Sequence, residues 1–419
     1  MLSAIIPKIP LKPQQFFPPL IQTTIRFHGN HGHNDDEDSY EKYQKRLDRS
    51  LTGAPASETL MKILRIITTP KEARLASRLP TVPTPLSKLS KELKMPIKEL
   101  DEQISVLADK GLVFDMVVNK ERYFSLVPIV LGFFEFIMMR AKNPYDLPIV
   151  ELSKLFDTYM YENNKFANSV FHAGDTQIGR ALVQEETLPH DSDAKIYDYE
   201  KATEIIKTAT RISLSLCSCR RKSKNAGHPC KKDAPLETCL TFNGAAEYLI
   251  RHDIAEEISK EKALEILADS KKRGLVQIDD VQKDVSYMCN CCGCCCGMLQ
   301  AKDTTFHMQY DICLGCGVCV SKCKFGALSM IPRKERVYTP ETAFEKYIAM
   351  ALERGKIANL LFEYPEKFSH RALGRIISMM EKLPPLTIIK NNKKLKSRFV
   401  SKMAELATKK DSRNEPKKK

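Results

Sequence analysis

The stretch CNCCGCCCG, residues 289–297, sets six cysteines within eight residues. Thiols this dense oxidise against one another unless they are held, and what holds many thiolates at once is metal. Neighbouring side chains of an extended chain point to opposite faces, so Cys291 and Cys292 cannot both serve one side, nor can Cys294, Cys295 and Cys296. The segment therefore reads as a wall between two metal centres. Within it Cys289, Cys292 and Cys295 also stand at C-x2-C-x2-C spacing, with Leu299 where a fourth cysteine would fall.

Moving outward, all fourteen cysteines lie between Cys217 and Cys323. A disulfide framework spreads its cysteines to staple distant loops of small secreted domains, so this clustering excludes that class. The run CLGCGVCVSKC gives Cys313, Cys316, Cys319 and Cys323 the C-x2-C-x2-C-x3-C spacing of a bacterial-type ferredoxin. Two-residue gaps curl the thiolates around one face of a cuboidal 4Fe-4S cluster, and Gly315 and Gly317 let backbone amides approach the sulfurs. In this spacing the fourth cysteine ligates a different cluster, so Cys323 calls for a second centre and the first three for a ligand from elsewhere. Lys324 stands where proline usually follows. Upstream, Cys217, Cys219, Cys230 and Cys239 form a third group with His228 nearby. It reads either as a four-thiolate zinc site or as a cluster site whose charge is offset by Arg220, Arg221, Lys231 and Lys232. Three four-ligand centres would leave two thiolates spare.

The 419 residues are enough for two or three domains of ordinary globular composition. Residues 1–50 read as a presequence and disordered segment: the first acid is Asp35, and Lys8, Lys12, Arg26 and His28 precede it in the charge pattern of a mitochondrial-type leader, although five prolines interrupt the helix such a leader forms. From 51 to 141 the order helix, helix, turn, helix, hairpin predicts a winged helix-turn-helix. Its recognition helix, Ile97 to Lys110, carries Glu99, Asp101, Glu102 and Asp109 against Lys98 and Lys110. Net negative charge there opposes phosphate, so DNA is an unfavoured partner and protein docking the better reading. Residues 142–210 form a connecting α/β region. Residues 211–335 hold the iron–sulfur domain, whose two cysteine groups are separated by a helical insert with Ser259 as N-cap and Gly274 as stop. Residues 336–419 form a helical region with a basic tail: twelve Lys or Arg against three acids from Thr387 onward account for +9 of the net +14. That tail reads as a solvated, disordered end, with a docking arm for an acidic partner or an RNA as the sharper alternative. The longest apolar run, Ile129 to Met139, is about half a bilayer span and is broken by Glu135, so no transmembrane segment is expected.

From about Leu79 to Met330, through ADKGLVFD, FFEF, CSCR, APLETCLTF, AAEYLIRH, EISKEKALEIL, CNCCGCCCG and CLGCGVCVSKC, the chain resembles a family of bacterial and archaeal iron–sulfur proteins. That family joins an N-terminal winged helix to a ferredoxin-type 4Fe-4S domain. The resemblance implies an α+β protein with two or three 4Fe-4S clusters, or a zinc ion in place of one. It implies electron transfer between a redox protein donor and acceptor, as a shuttle or reductase subunit rather than a stand-alone enzyme. The leader-like start suits a eukaryotic copy in a mitochondrion or a related organelle, and that address is the expectation. No dinucleotide fingerprint or P-loop accompanies the cysteines, so hydride transfer and NTP hydrolysis are not expected. The alternatives are a redox-sensing DNA-binding regulator and a structural zinc protein.

Overall fold

The computed structural model describes residues 35–162, 164–188, 197–300, 313–324, 328–331, 338–364 and 367–413. The leader-like residues 1–34 and the last six residues of the basic tail lie outside them. Helix α1 (Asp35–Asp48) occupies part of the stretch expected to be presequence and disordered segment. It belongs to the N-terminal core instead: Tyr40, Tyr43 and Leu47, spaced for one helical face, are buried with Leu60, Ile63 and Leu64. The charged residues between them masked that stripe.

Next come α2 (Glu58–Ile67), N-capped by Ser57, and α3 (Pro70–Ala76), opened by a Thr69–Glu72 capping box. Strand β1 (Thr84–Pro85), α4 (Leu86–Leu93), α5 (Ile97–Asp109), β2 (Val113–Val118) and β3 (Glu121–Leu126) follow. The three strands form an antiparallel sheet in the order β1-β3-β2. Asn119 and Lys120 turn the β2–β3 hairpin, both with positive φ (51° and 67°), as a two-residue turn matched to strand twist requires. Helices α6 (Phe134–Met139), α7 (Ile149–Tyr161) and α8 (Asn164–Ala167) complete this core, with Phe134 and Phe156 in edge-on ring contact at 4.1 Å.

The second sheet has six strands: β4 (Arg180–Ala181), β5 (Ile212–Leu216), β6 (Glu237–Phe242), β7 (Glu256–Glu257), β8 (Val276–Asp279) and β9 (Tyr287–Cys291). Their order is β4-β8-β9-β6-β5-β7, with every pairing antiparallel. Helices α9 (Ala202–Thr208), α10 (Ser218–Asn225), α11 (Asn243–Arg251) and α12 (Lys260–Lys272) join them. Ile206 and Leu267, from α9 and α12, pack with Leu214, Leu240 and Met288 of the sheet. The helical insert is two helices rather than one run, because Asp253, at φ 58°, turns the chain toward β7. Ser259 accepts from the Lys262 amide at 3.2 Å and Gly274, at φ 69°, follows the end of α12, as the sequence predicts.

Short helix α13 (Gly297–Gln300) follows the cysteine-rich turn, and α14 (Val318–Ser321) lies within the ferredoxin-spaced loop and carries Cys319. The C-terminal region is helical: α15 (Ala343–Glu353), α16 (Ile357–Leu361), α17 (Phe368–Met380), α18 (Pro384–Asn391) and α19 (Lys393–Arg413). A buried ion pair of Arg46 with Glu363 at 2.7 Å ties it to the rest, as does Glu353, which accepts from the Thr176 amide at 2.7 Å and pairs with Lys396 of α19 at 2.6 Å. The protein is thus α+β, with two antiparallel sheets among helices. Among the described residues, no helix is long and apolar enough to cross a membrane.

Candidate metal centres

Strand β9 lies between β8 and β6, so both its edges are hydrogen-bonded and its register is fixed, with Ile278 opposite Cys289 and Val276 opposite Cys291. The chain then leaves the sheet at Cys292, turns through Gly293, Cys294 and Cys295, and comes back. The Cys296 amide donates to the Cys292 carbonyl at 3.2 Å, which brings Cys296 Sγ to 3.4 Å from Cys291 Sγ. Sequence neighbours are thereby parted. Cys291 and Cys296 pack with Cys289 and Ile278, whereas Cys292, Cys294 and Cys295 pack with Cys230, Ala234 and Leu275.

Cys230, Cys292, Cys294 and Cys295 form the first set. Their Sγ atoms all lie within 4.8 Å of one another, and among the described residues this set alone meets that spacing. Cys230 Sγ stands 3.7 Å from Cys294 Sγ, which stands 3.9 Å from Cys295 Sγ. Such a group can hold a metal ion. Cys292 and Cys295 are buried, while Cys230 and Cys294 reach the rim. Burial acts to raise the Cys230 thiol, but the amides of Ala234 and Lys232 and the neighbouring thiols donate to it and bring it down to about 7. It is poised to ligate as thiolate.

The second set has six members. Cys217 ends the β5 segment as the N-cap residue of α10, Cys219 lies in the first turn of α10, Cys239 lies on β6, and Cys289, Cys291 and Cys296 come from β9 and its turn. One step along the ladder from the Leu240–Met288 pair brings Cys239 beside Cys289. The sulfurs form a chain of neighbours: Cys239 and Cys291 are hydrogen-bonded to Cys289, and Cys219 and Cys291 to Cys296, whose Sγ donates to Cys291 Sγ at 3.4 Å. These bonds hold Cys289 and Cys296 well below the usual thiol range, whereas burial pushes Cys217 up to about 12. Glu135 faces this set across from Cys289, and burial pushes its carboxyl up to about 8 while the Gly132 amide donates to it at 3.0 Å.

Arg220 stands between the two sets. Its side chain is 1% exposed; Nη1 donates to the Asn290 carbonyl at 2.9 Å and Nη2 to Thr238 Oγ1. Burial acts to lower its pKa, but the thiolates of Cys217, Cys292 and Cys291 raise it further, so it stays a cation. Its buried Nε–H finds no hydrogen-bond partner among the described residues. Arg221 and Lys222, next on α10, turn away to the Met138 and Arg140 carbonyls and to Asp157.

The third set is the ferredoxin-spaced loop. Cys313 and Cys319 are exposed, Cys316 and Cys323 partly so. Gly315 and Gly317 have φ of 72° and 77°, and a Cβ on Gly317 would stand 2.3 Å from Thr187 Oγ1, so both positions need glycine. The loop docks through Gln184, whose amide donates to the Cys316 carbonyl at 2.9 Å, and through Lys322, whose Nζ donates to the Lys272 carbonyl at 2.8 Å. The side-chain amide of Gln184 is buried and has no partner among the described residues. The orphaned Nε–H of Arg220, beside thiols, fits metal-bound sulfur as the missing acceptor, and all-thiolate donor sets fit zinc or iron–sulfur clusters.

The upstream group expected from sequence is divided. Cys217 and Cys219, at the start of α10 just after β5, and Cys239 on the neighbouring β6 join the second set. Cys230 lies past α10, beyond Gly227 with its φ of 95°, and is carried to the turn at 292–295. His228 is exposed and belongs to neither set. Cys289, Cys292 and Cys295, which share ferredoxin spacing, are also parted. Fourteen thiols fall into sets of four, six and four, which leaves none spare. Sequence reasoning missed the pairing partners because Cys230 and Cys292 are joined only by the fold. It also missed Gln184, which nothing in the connecting region 142–210 singles out.

Comparison of this chain with protein-family models, curated proteins and solved structures finds no match to any of them.

Proposed function

We propose that the protein is an iron–sulfur electron-transfer protein, a shuttle or subunit for a reductase. The carrying observation is the gathering of every thiol into three adjacent sets, two of them buried back to back on one strand and its turn, with the ferredoxin-spaced loop docked alongside. When bound, 4Fe-4S clusters supply one-electron redox chemistry. The chain's own residues supply the rest. The thiolates hold the inorganic cores, Arg220 places a fixed positive charge between them, backbone amides of the Gly315–Val318 turn approach Cys316, and the sheet excludes water from the buried sets. A reduced protein donor gives up one electron at the exposed Cys313 and Cys319 edge, and an oxidised acceptor takes it.

The N-terminal unit is read as a winged helix used for protein docking. Its α5 presents Glu99 and Glu102 to solvent, while Lys110 is engaged by Glu72 at 2.7 Å and Arg122 by Asp101 at 2.6 Å. Lys98 stays exposed on α5, but the acids around it oppose a phosphate backbone.

The deciding experiment measures iron, zinc and acid-labile sulfide on the anaerobically purified full chain, with low-temperature EPR before and after dithionite. Iron and sulfide in about equal amounts with reducible cubane signals are expected. Protein that binds zinc alone, without labile sulfide, overturns the electron-transfer reading.

A further inference from the structure

We infer that the two buried thiol sets hold different metals: one tetrahedral zinc ion in Cys230, Cys292, Cys294 and Cys295, and a polynuclear iron–sulfur centre in Cys217, Cys219, Cys239, Cys289, Cys291 and Cys296. This deepens the iron–sulfur reading and rests on it for the second set; the zinc assignment stands apart from it.

Sulfur spacing separates the two. A tetrahedral zinc ion with Zn–S bonds of about 2.3 Å sets its thiolates about 3.8 Å apart. The first set has 3.7 Å and 3.9 Å between its neighbouring sulfurs and keeps all four within 4.8 Å. The thiolates of a cubane sit on four different irons and stand farther apart than this, so the first set is too tight for a cluster. Four thiolates and no fifth ligand make a closed, structural site. Zinc outcompetes ferrous iron for such a site on intrinsic affinity.

The second set cannot be a single-ion site. Six thiolates exceed what one tetrahedral ion accepts, and they run as a chain of neighbours from Cys239 through Cys289, Cys291 and Cys296 to Cys219, with Cys217 beside Cys289 and Cys296. A chain of sulfurs in which close neighbours such as Cys291 and Cys296, 3.4 Å apart, share one metal and the others reach further ones suits a core of several metals. Six thiolates, with Cys291 and Cys296 buried among them, also concentrate more negative charge than the four of the first set do. Arg220 borders it as a fixed cation acting on Cys217 and Cys291, while its thiol hydrogen bond goes to Cys292 of the first set and its Nε–H has no partner among the described residues. Both sets border Arg220, so the zinc would brace the turn that presents Cys296 to the redox centre.

The test is metal and sulfide content, with low-temperature EPR, on the anaerobic full chain carrying Cys294→Ser, Cys230→His, Cys219→Ser or Cys239→Ser. Cys294→Ser is expected to lose zinc and keep iron, labile sulfide and the reduced EPR signals. Cys230→His, which keeps a zinc ligand, is expected to retain zinc, and so distinguishes loss of a ligand from failure to fold. Cys219→Ser and Cys239→Ser are expected to lose iron and sulfide together and to keep zinc. If Cys294→Ser or Cys230→His removes iron and sulfide in equal amounts, the first set holds a cluster and the assignment falls. If wild-type protein carries zinc but no iron, the second-set assignment and the electron-transfer reading fall together, while the zinc site stands.

Discussion

At the scale of single residues, Arg220 bears the most weight. It is a buried cation bonded to two neighbouring strands and flanked by thiolates of both sets. Replacing it with methionine keeps much of the bulk but removes the charge and both hydrogen bonds. Leaving buried thiolates uncompensated is expected to cost about 3–5 kcal/mol, measured by anaerobic denaturant unfolding. With less positive charge nearby, reduction becomes harder, so the midpoint potential in an EPR-monitored titration should move negative. Arg220→Lys should keep the potential closer to wild type while losing much of the stability, because an ammonium cannot fork to Asn290 and Thr238 at once. An unchanged potential in Arg220→Met would place the cluster away from this guanidinium. The sequence marked Arg220 as charge compensation, since it follows Cys219 directly. Its bridging position was not legible there, because Thr238 and Asn290 reach it only through sheet pairing. Cys230 shows the same limit: alternation along the chain says that Cys291 and Cys292 part company, but not which distant thiol meets each.

At the scale of elements, the joint between α11 and the β2–β3 hairpin unites the N-terminal unit with the cysteine-bearing sheet. Asp115, on β2 and almost fully buried, accepts from His252 Nε2 at 2.8 Å, Arg251 Nη2 at 2.8 Å and Arg122 Nη2 at 2.8 Å. The second His252 nitrogen meets Asp109 at 2.7 Å, and Tyr248 donates to the Val113 carbonyl at 2.9 Å. Burial acts to raise the Asp115 carboxyl, but hydrogen bonds from His252, Arg122 and Arg251 outweigh it and hold the group well below the usual carboxylate range. A depressed folded-state value means that the folded protein binds fewer protons than the unfolded chain. The stability it contributes is full above the unfolded value near pH 4 and is lost as pH falls through the folded one. Asp115→Asn is therefore expected to lower stability at neutral pH by about 3 kcal/mol and to flatten the fall in unfolding midpoint below about pH 4. Parallel midpoint curves for the two proteins would assign the acid response to other carboxylates. Element type was readable here. The α5 stripe, the Asn119-Lys120 turn and the Ser259 cap all follow from local sequence. The α1 face was hidden by its acids, and the His252–Asp115 contact spans too much chain for any pattern to announce it.

At the scale of the whole molecule, the apolar cores are unequally dependent on metal. The N-terminal core is built from ordinary side chains, from Tyr40 and Leu60 through Phe124, Phe156 and Val170. The two small clusters around the β9 turn consist mainly of the cysteines themselves, with Ala234 and Leu275 on one side and Ile278 on the other. Without metal those sulfurs have only each other and a few hydrogen bonds to hold them, and metal binding there is folding free energy. Anaerobic removal of metal is therefore expected to open the molecule locally. Amide exchange should quicken across residues 217–239 and 287–300, and α10 should loosen because Cys217 and Cys219 anchor its first turn. Protection should persist in α2, α5 and the β2–β3 hairpin, whose burial owes nothing to thiolates. The joint at Asp115 lies between these regions and sets how far the opening spreads, so chelation in the Asp115→Asn background should extend the loss of protection into α11. Uniform loss of protection over both units on chelation alone would mean that the metal centres stabilise the molecule as one cooperative body.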